Sequence, residues 1–181
     1  ENPEEVQSVT AINAAKLEPW DVNAQPNEWK PDPQVEQGFK VLFPRPFTIS
    51  RLDPSKEPLE LNKFKLSPIK NVFYVPEYVS AEEETECLIQ NRETPSELKN
   101  QLDRRVVQEY GGTMCGECQK SFVSDANIPP WTSRICDALV KDTIFTPTTF
   151  PNNVRIHDYE SGHGIAPHCD GPIYVPRVAI L

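Results

Sequence analysis

No stretch of this 181-residue sequence approaches the ~18 consecutive apolar residues of a membrane-spanning helix, so no such helix is expected. Positive charge is also short: 18 Lys and Arg stand against 27 Asp and Glu, for a net charge of -9. The chain as a whole therefore has no electrostatic reason to gather phosphates or to lie on an anionic membrane, and any nucleic-acid binding has to come from a local patch. The amino-terminal ENPEEVQSVT lacks the basic start and the apolar stretch of a secretory signal. A disulfide framework is missing too, because the five cysteines (Cys87, Cys115, Cys118, Cys136 and Cys169) are odd in number and irregular in spacing. Reduced thiols, a cytoplasmic or nuclear setting, no membrane partner and a monomer are the expectations. Histidine is scarce as well, at three residues, and all of them fall within HDYESGHGIAPHCDGP, residues 157–172.

What the sequence has in quantity is proline. Of 19 in total, ten fall in residues 1–70, where no helical or alternating period lasts more than a few positions. Each proline removes a backbone donor and pushes its predecessor away from helix. Residues 1–68 read as a largely irregular arm that wraps the folded part or stays mobile, with one short strand expected at FKVLF (39–43).

Order is expected from about residue 70. IKNVFYVPEYVS (69–80) is a strand candidate broken at Pro76. Ser80, with Glu83 three positions on, forms a capping-box pattern, which predicts a helix over roughly 81–92 whose apolar side is Ala81, Thr85, Leu88 and Ile89. The acidic run Glu82, Glu83, Glu84 and Glu86 reads as the exposed start of that helix. LKNQLDRRVVQEYGG (98–112) fits either a short helix or a hairpin arm. IPPWTSRICDALVKD (128–142) predicts a helix with Trp131, Ile135, Ala138 and Leu139 on one face. From 151 the period becomes two: Val154, Ile156 and Asp158 alternate with Arg155, His157 and Tyr159. A glycine turn follows, then IAPHCDGP as a second short strand, and VAIL (178–181) as the opening of a buried one.

His168 and Asp170 are two apart, so on a strand both point to one face while Cys169 points away. An imidazole and a carboxylate, joined by one more histidine from a distant strand, form the facial triad of non-haem Fe(II) oxygenases. The rival reading is a turn in which Asp170 caps backbone amides. Cys115-Gly-Glu-Cys118 is a lone CxxC without a second pair and reads as a surface loop with two ordinary thiols. Arg104 and Arg105, with Lys99 nearby, are the local basic patch that could touch phosphates, and Tyr110 could stack on a base; the competing reading is a solvated helix face.

The order Tyr159, Gly162, Gly164, Ile165, His168, Asp170, Gly171, Pro172 resembles the first motif of the AlkB-type 2-oxoglutarate and Fe(II)-dependent dioxygenases. It is most similar to the sixth AlkB homologue branch, where HxDGP is followed by tyrosine and proline, as Tyr174 and Pro176 follow here. Residues 72–89, 104–112 and 128–140 resemble, in the same order, the entry strand and first helix, the glycine-ended segment near the nucleotide-recognition lid, and the helix before the barrel. The resemblance implies an α+β fold with amino-terminal helices and a double-stranded β-helix, or jelly roll. It also implies Fe(II) held by His168 and Asp170, and 2-oxoglutarate bonded by Tyr159. The implied reaction is oxidative demethylation or dealkylation of nucleic acid.

Two departures accompany it. The family usually has asparagine two residues before the tyrosine, and here it is His157, which places an imidazole against the cosubstrate. No histidine follows His168, so the distal ligand and the arginine that clamps 2-oxoglutarate are absent from residues 1–181. His163, on the glycine turn, reads as a solvated residue. The expected organisation is a 1–68 arm and, at 69–181, the amino-terminal part of the dioxygenase domain, with the carboxy-terminal half of the β-helix missing. The alternative is a truncated or degenerate copy that acts as a binding protein without catalysis.

Overall fold

The computed structural model describes residues 38, 41–118, 122–123, 127–170 and 174–181. They form a mixed, α+β arrangement with two α-helices described from end to end, further helical residues at 38 and 41–42, and five short antiparallel strands.

Helix α1 (Ala81–Glu93) starts at Ser80. The Ser80 hydroxyl accepts from the Glu83 amide at 3.2 Å, and the Glu83 carboxylate accepts from the Ser80 amide at 2.8 Å, which satisfies two of the orphan donors at the helix start. Glu82, Glu83 and Glu84 add favourable charge to the same turn. The helix stops at Thr94, ahead of Pro95. Its inward face is only in small part the expected one: Ile89 is partly buried, but Ala81, Thr85 and Leu88 are exposed, and Glu86, Cys87, Gln90 and Asn91 turn inward instead. This polar face is tolerated because it is hydrogen-bonded. Gln90 Nε2 donates to Arg45 O at 3.0 Å, Asn91 Nδ2 donates to Asp158 Oδ1 at 2.8 Å, and Asn91 Oδ1 accepts from Gln108 Nε2.

Helix α2 (Pro130–Lys141) follows expectation in extent and face, burying Trp131, Thr132, Cys136, Ala138 and Leu139. Proline in its first turn has no donor to leave unpaired. Asp142 closes the helix, and its carboxylate, fully removed from solvent, holds the arm: Arg51 Nε donates to Oδ2 at 2.8 Å, Arg51 Nη2 donates to Oδ1, and the Leu59 amide donates to Oδ1 at 3.2 Å.

Residues 98–112 settle as a hairpin arm: β1 (Asn100–Gln101) pairs with β2 (Val106–Gly111). β2 also pairs antiparallel with β5 (Asn153–Asp158), with Val107 opposite His157 and Glu109 opposite Arg155, for a sheet order β1-β2-β5. β3 (Thr113–Met114) and β4 (Phe122–Val123) make a separate ribbon. Period two then assigns the faces. Gln108, Tyr110, Val154 and Ile156 look toward the helices and the core, while Glu109, Arg155 and His157 look the other way. The core is Phe43, Phe47, Ile49, Tyr110, Ile128, Trp131 and Ala138. Two edge-on aromatic pairs sit within it, Phe43 with Tyr110 at 6.4 Å and Phe47 with Trp131 at 6.3 Å. Three of these core residues come from the proline-rich segment at 43–49, which binds through inserted aromatics rather than through a ladder.

Other expectations are corrected. Val41 and Leu42 are helical, not part of a strand. The run at 72–79 makes a single bridge, Phe73 with Lys65, because Pro76 has no donor to extend it. Residues 165–170 and 178–181 form no strand, since no described strand lies beside them to take up their backbone groups, and Val178, Ile180 and Leu181 are exposed.

Gly111 ends β2 with φ 80°, and a Cβ there would lie 2.2 Å from Asn152 O. Gly111→Ala therefore meets both a left-handed backbone and a carbonyl that is itself bonded to the Gly112 amide at 2.8 Å. Thermal unfolding of the variant should show a loss of about 2–4 kcal/mol; a loss below about 0.5 kcal/mol would mean that the β2–β5 junction yields freely.

Candidate metal and cosubstrate site

The outward face of β5 carries Arg155 and His157 two residues apart, and Tyr159 continues the series just past the strand end. His157 Nδ1 and the Tyr159 hydroxyl are 2.9 Å apart, with ring centroids at 5.8 Å. Burial, followed by the positive charges of Arg105, Arg155 and His168, holds His157 below the ordinary histidine range, so its imidazole is neutral at pH 7. Arg155 donates to Glu109 across the β2–β5 ladder at 2.8 Å and meets the Tyr174 hydroxyl at 3.3 Å.

The segment carrying His168 and Asp170 lies near this face without being a strand. The two side chains nevertheless converge as their spacing predicts, with His168 Nε2 at 3.3 Å from Asp170 Oδ1, and both are about half exposed. Ala166 O accepts from His168 Nδ1 at 2.9 Å. A carbonyl can only accept, so Nδ1 carries the proton and Nε2 is the nitrogen that faces the carboxylate. Among the described residues no third His, Cys, Asp or Glu joins them. His163 lies on the turn, its amide bonded to Glu160 O, and is exposed.

Beside this pair, an open groove of about 350 Å³ runs between Leu102–Arg105 on the β1–β2 turn and Gly164–Ala166. Arg105 Nε is buried there with no hydrogen-bond partner among the described residues. Tyr110 does not line the groove: it is 4% exposed, and its hydroxyl donates inward to Gln108. It is a core residue and cannot stack on a base. Lys99 is occupied by Arg92 O at 3.2 Å. Arg105 belongs to the basic patch singled out by sequence, whereas Arg155 and Glu109 were not singled out for this surface; the period-two run through His157 and Tyr159 is the signal that reaches Arg155.

All five cysteines are free thiols, with Cys115 partly covered and Cys118 exposed on the turn after β3. Among the described residues no helix is long and apolar enough to cross a membrane.

No family model matches the chain. Over 128 residues, 70% of its length, the chain is 30% identical to a protein of Danio rerio named "Probable RNA/DNA demethylase ALKBH6", of which it spans 52%. The chain thus covers about half the length of that relative. The match supports a relation to the AlkB family.

Proposed function

We propose that this chain carries part of the iron and 2-oxoglutarate site of an AlkB-type dioxygenase, built on a double-stranded β-helix, that removes alkyl groups from nucleic acid in the cytoplasm or nucleus. The observation that carries this reading is the His168–Asp170 pair, whose Nε2 and Oδ1 converge at 3.3 Å with the other imidazole nitrogen tied to a backbone carbonyl. Fixing the far nitrogen is how proteins orient a metal-binding imidazole, and one imidazole plus one carboxylate match two positions of the Fe(II) facial triad. His168 and Asp170 would hold the metal. When bound with 2-oxoglutarate, Fe(II) supplies the oxidation of a C–H bond on an N-alkyl group, with decarboxylation of the keto acid and later loss of an aldehyde.

The neighbouring residues have definable tasks. Tyr159 can donate to a 2-oxoglutarate oxygen only if its bond with His157 runs from Nδ1–H to the tyrosine oxygen, so cosubstrate binding selects one tautomer of a neutral His157. Arg104 and Arg105 line the groove beside the pair, and their positive charge would attract a nucleic-acid phosphate. The name of the Danio rerio relative supports nucleic acid as the substrate class.

The test is 2-oxoglutarate consumption, with added Fe(II), by the longest form of this protein that its source makes, in the presence of N-methylated RNA and DNA oligonucleotides. Iron-dependent conversion to succinate coupled to loss of the methyl group is expected. Absence of both conversion and demethylation would overturn the enzymatic reading and favour a binding role.

A further inference from the structure

Arg155 stands in mid-strand on β5, opposite Glu109 on β2 and on the same face as His157. Its guanidinium is oriented from two sides. Nε and Nη2 both donate to Glu109 Oε1, at 3.0 and 2.8 Å. Nη2 also meets the Tyr174 hydroxyl at 3.3 Å, and the guanidinium carbon lies 5.8 Å from the centre of the Tyr174 ring. Burial is the largest single influence and opposes this charge, but Glu109, Tyr174 and Asp170 together hold the guanidinium above the ordinary arginine value. A single cation fixed in the sheet thus contacts Tyr174, four positions after Asp170 in the sequence, and is attracted by Asp170 itself.

That segment needs such a hold. Residues 164–170 lie in neither helix nor strand, so no ladder sets their position. The bond from His168 Nδ1 to Ala166 O orients the ring, but it lies within the segment and cannot place the segment over the sheet.

We infer that Arg155 is a positioning residue, which pins Tyr174 over β5 and so holds the Asp170 and His168 donors at a fixed place beside Tyr159. The inference rests on the reading of His168 and Asp170 as metal donors. Its test uses Arg155→Met, Arg155→Lys and the unaltered protein. The readouts are the unfolding temperature, Mn(II) affinity from loss of the free-ion EPR signal, and ¹⁵N order parameters of residues 164–170 in metal-free protein. Arg155→Met should weaken Mn(II) binding at least tenfold and lower the order parameters from about 0.8 to below about 0.6, with those of α2 unchanged. Arg155→Lys keeps the charge but loses the fork, so it should recover part of the affinity. Order parameters that stay unchanged in Arg155→Met overturn the inference whether or not metal binds. Mn(II) uptake that is undiminished in Arg155→Met overturns it as well. Failure of the unaltered protein to take up Mn(II) would instead overturn the metal reading, and the metal-free comparison keeps the two failures apart.

Discussion

His168→Ala should reduce iron-dependent consumption of 2-oxoglutarate by at least about 100-fold, because loss of a mere outer partner of a metal site already costs about 10–100-fold and a donor cannot matter less. Asp170→Ala should do the same, and the double variant should be little worse than either, since residues that act as one unit are not additive. Stability should separate from activity. The side chains are 50% and 46% exposed, so removing either should change unfolding by no more than about 0.5 kcal/mol. His163→Ala supplies the control for the nearby glycine turn: its side chain is exposed, and activity should stay within about twofold of the parent. Turnover that survives His168→Ala, or that disappears in His163→Ala, would move the metal away from the pair assigned here.

How much of this was legible in the sequence depends on whether the determinant was local. The limits of α1 follow from Ser80 and Glu83, which cap each other across three residues and need no tertiary partner. Its buried face was not legible, because the residues that turn inward, Gln90 and Asn91, are polar. Only the fold supplies the Arg45 carbonyl, Gln108 and Asp158 that satisfy them. In α2 the extent and the face agree with the pattern, since Trp131, Ala138 and Leu139 are both apolar and buried. The stretch 98–112 stayed open between helix and hairpin until β5 was placed beside it, because the deciding contacts come from residues more than forty positions away.

The site divides along the same line. The convergence of His168 with Asp170 was readable from their spacing, although the strand invoked to explain it is absent. A two-residue separation brings side chains together in other extended conformations too, and here the backbone carbonyl of Ala166 turns the ring. The position of His157 beside Tyr159 was readable from strand alternation. The role of Arg155 was not, because it depends on Glu109 and Tyr174 arriving from two other parts of the chain. Tyr110 shows the opposite error: a tyrosine in a basic neighbourhood invites a base-stacking role, yet strand parity sends it into the core against Phe43.

Asp142→Ala is expected to destabilise the protein by about 3–5 kcal/mol, the largest loss of any single substitution considered for stability. The carboxylate is fully buried at the end of α2, and Arg51, itself 15% exposed, pairs with both of its oxygens. Its charge also reaches Tyr78, whose hydroxyl burial pushes well above the usual range, with Asp142 adding to the shift. Removing the carboxylate leaves the Arg51 guanidinium with only the Glu57 carbonyl, which accepts from Nη2 at 3.0 Å, and the Leu59 amide without its acceptor. Asp142→Asn should cost less, because the amide oxygen still accepts from Leu59. Arg51→Leu alone should cost about as much as Asp142→Ala, since it leaves the buried carboxylate uncompensated. Combining Arg51→Leu with Asp142→Leu should then recover a large part of the loss, with a coupling energy of about 2–3 kcal/mol in the cycle. Urea unfolding of the parent, Arg51→Leu, Asp142→Leu and the double variant measures this directly. Simple additivity would mean that the Arg51–Asp142 pair does not fasten the proline-rich segment, leaving its hold to Phe43, Phe47, Ile49 and the bond from Gln90 to Arg45 O. Strong coupling would mean that this segment, which has no ladder of its own, is fastened to α2 by charge at one end and by aromatic packing at the other.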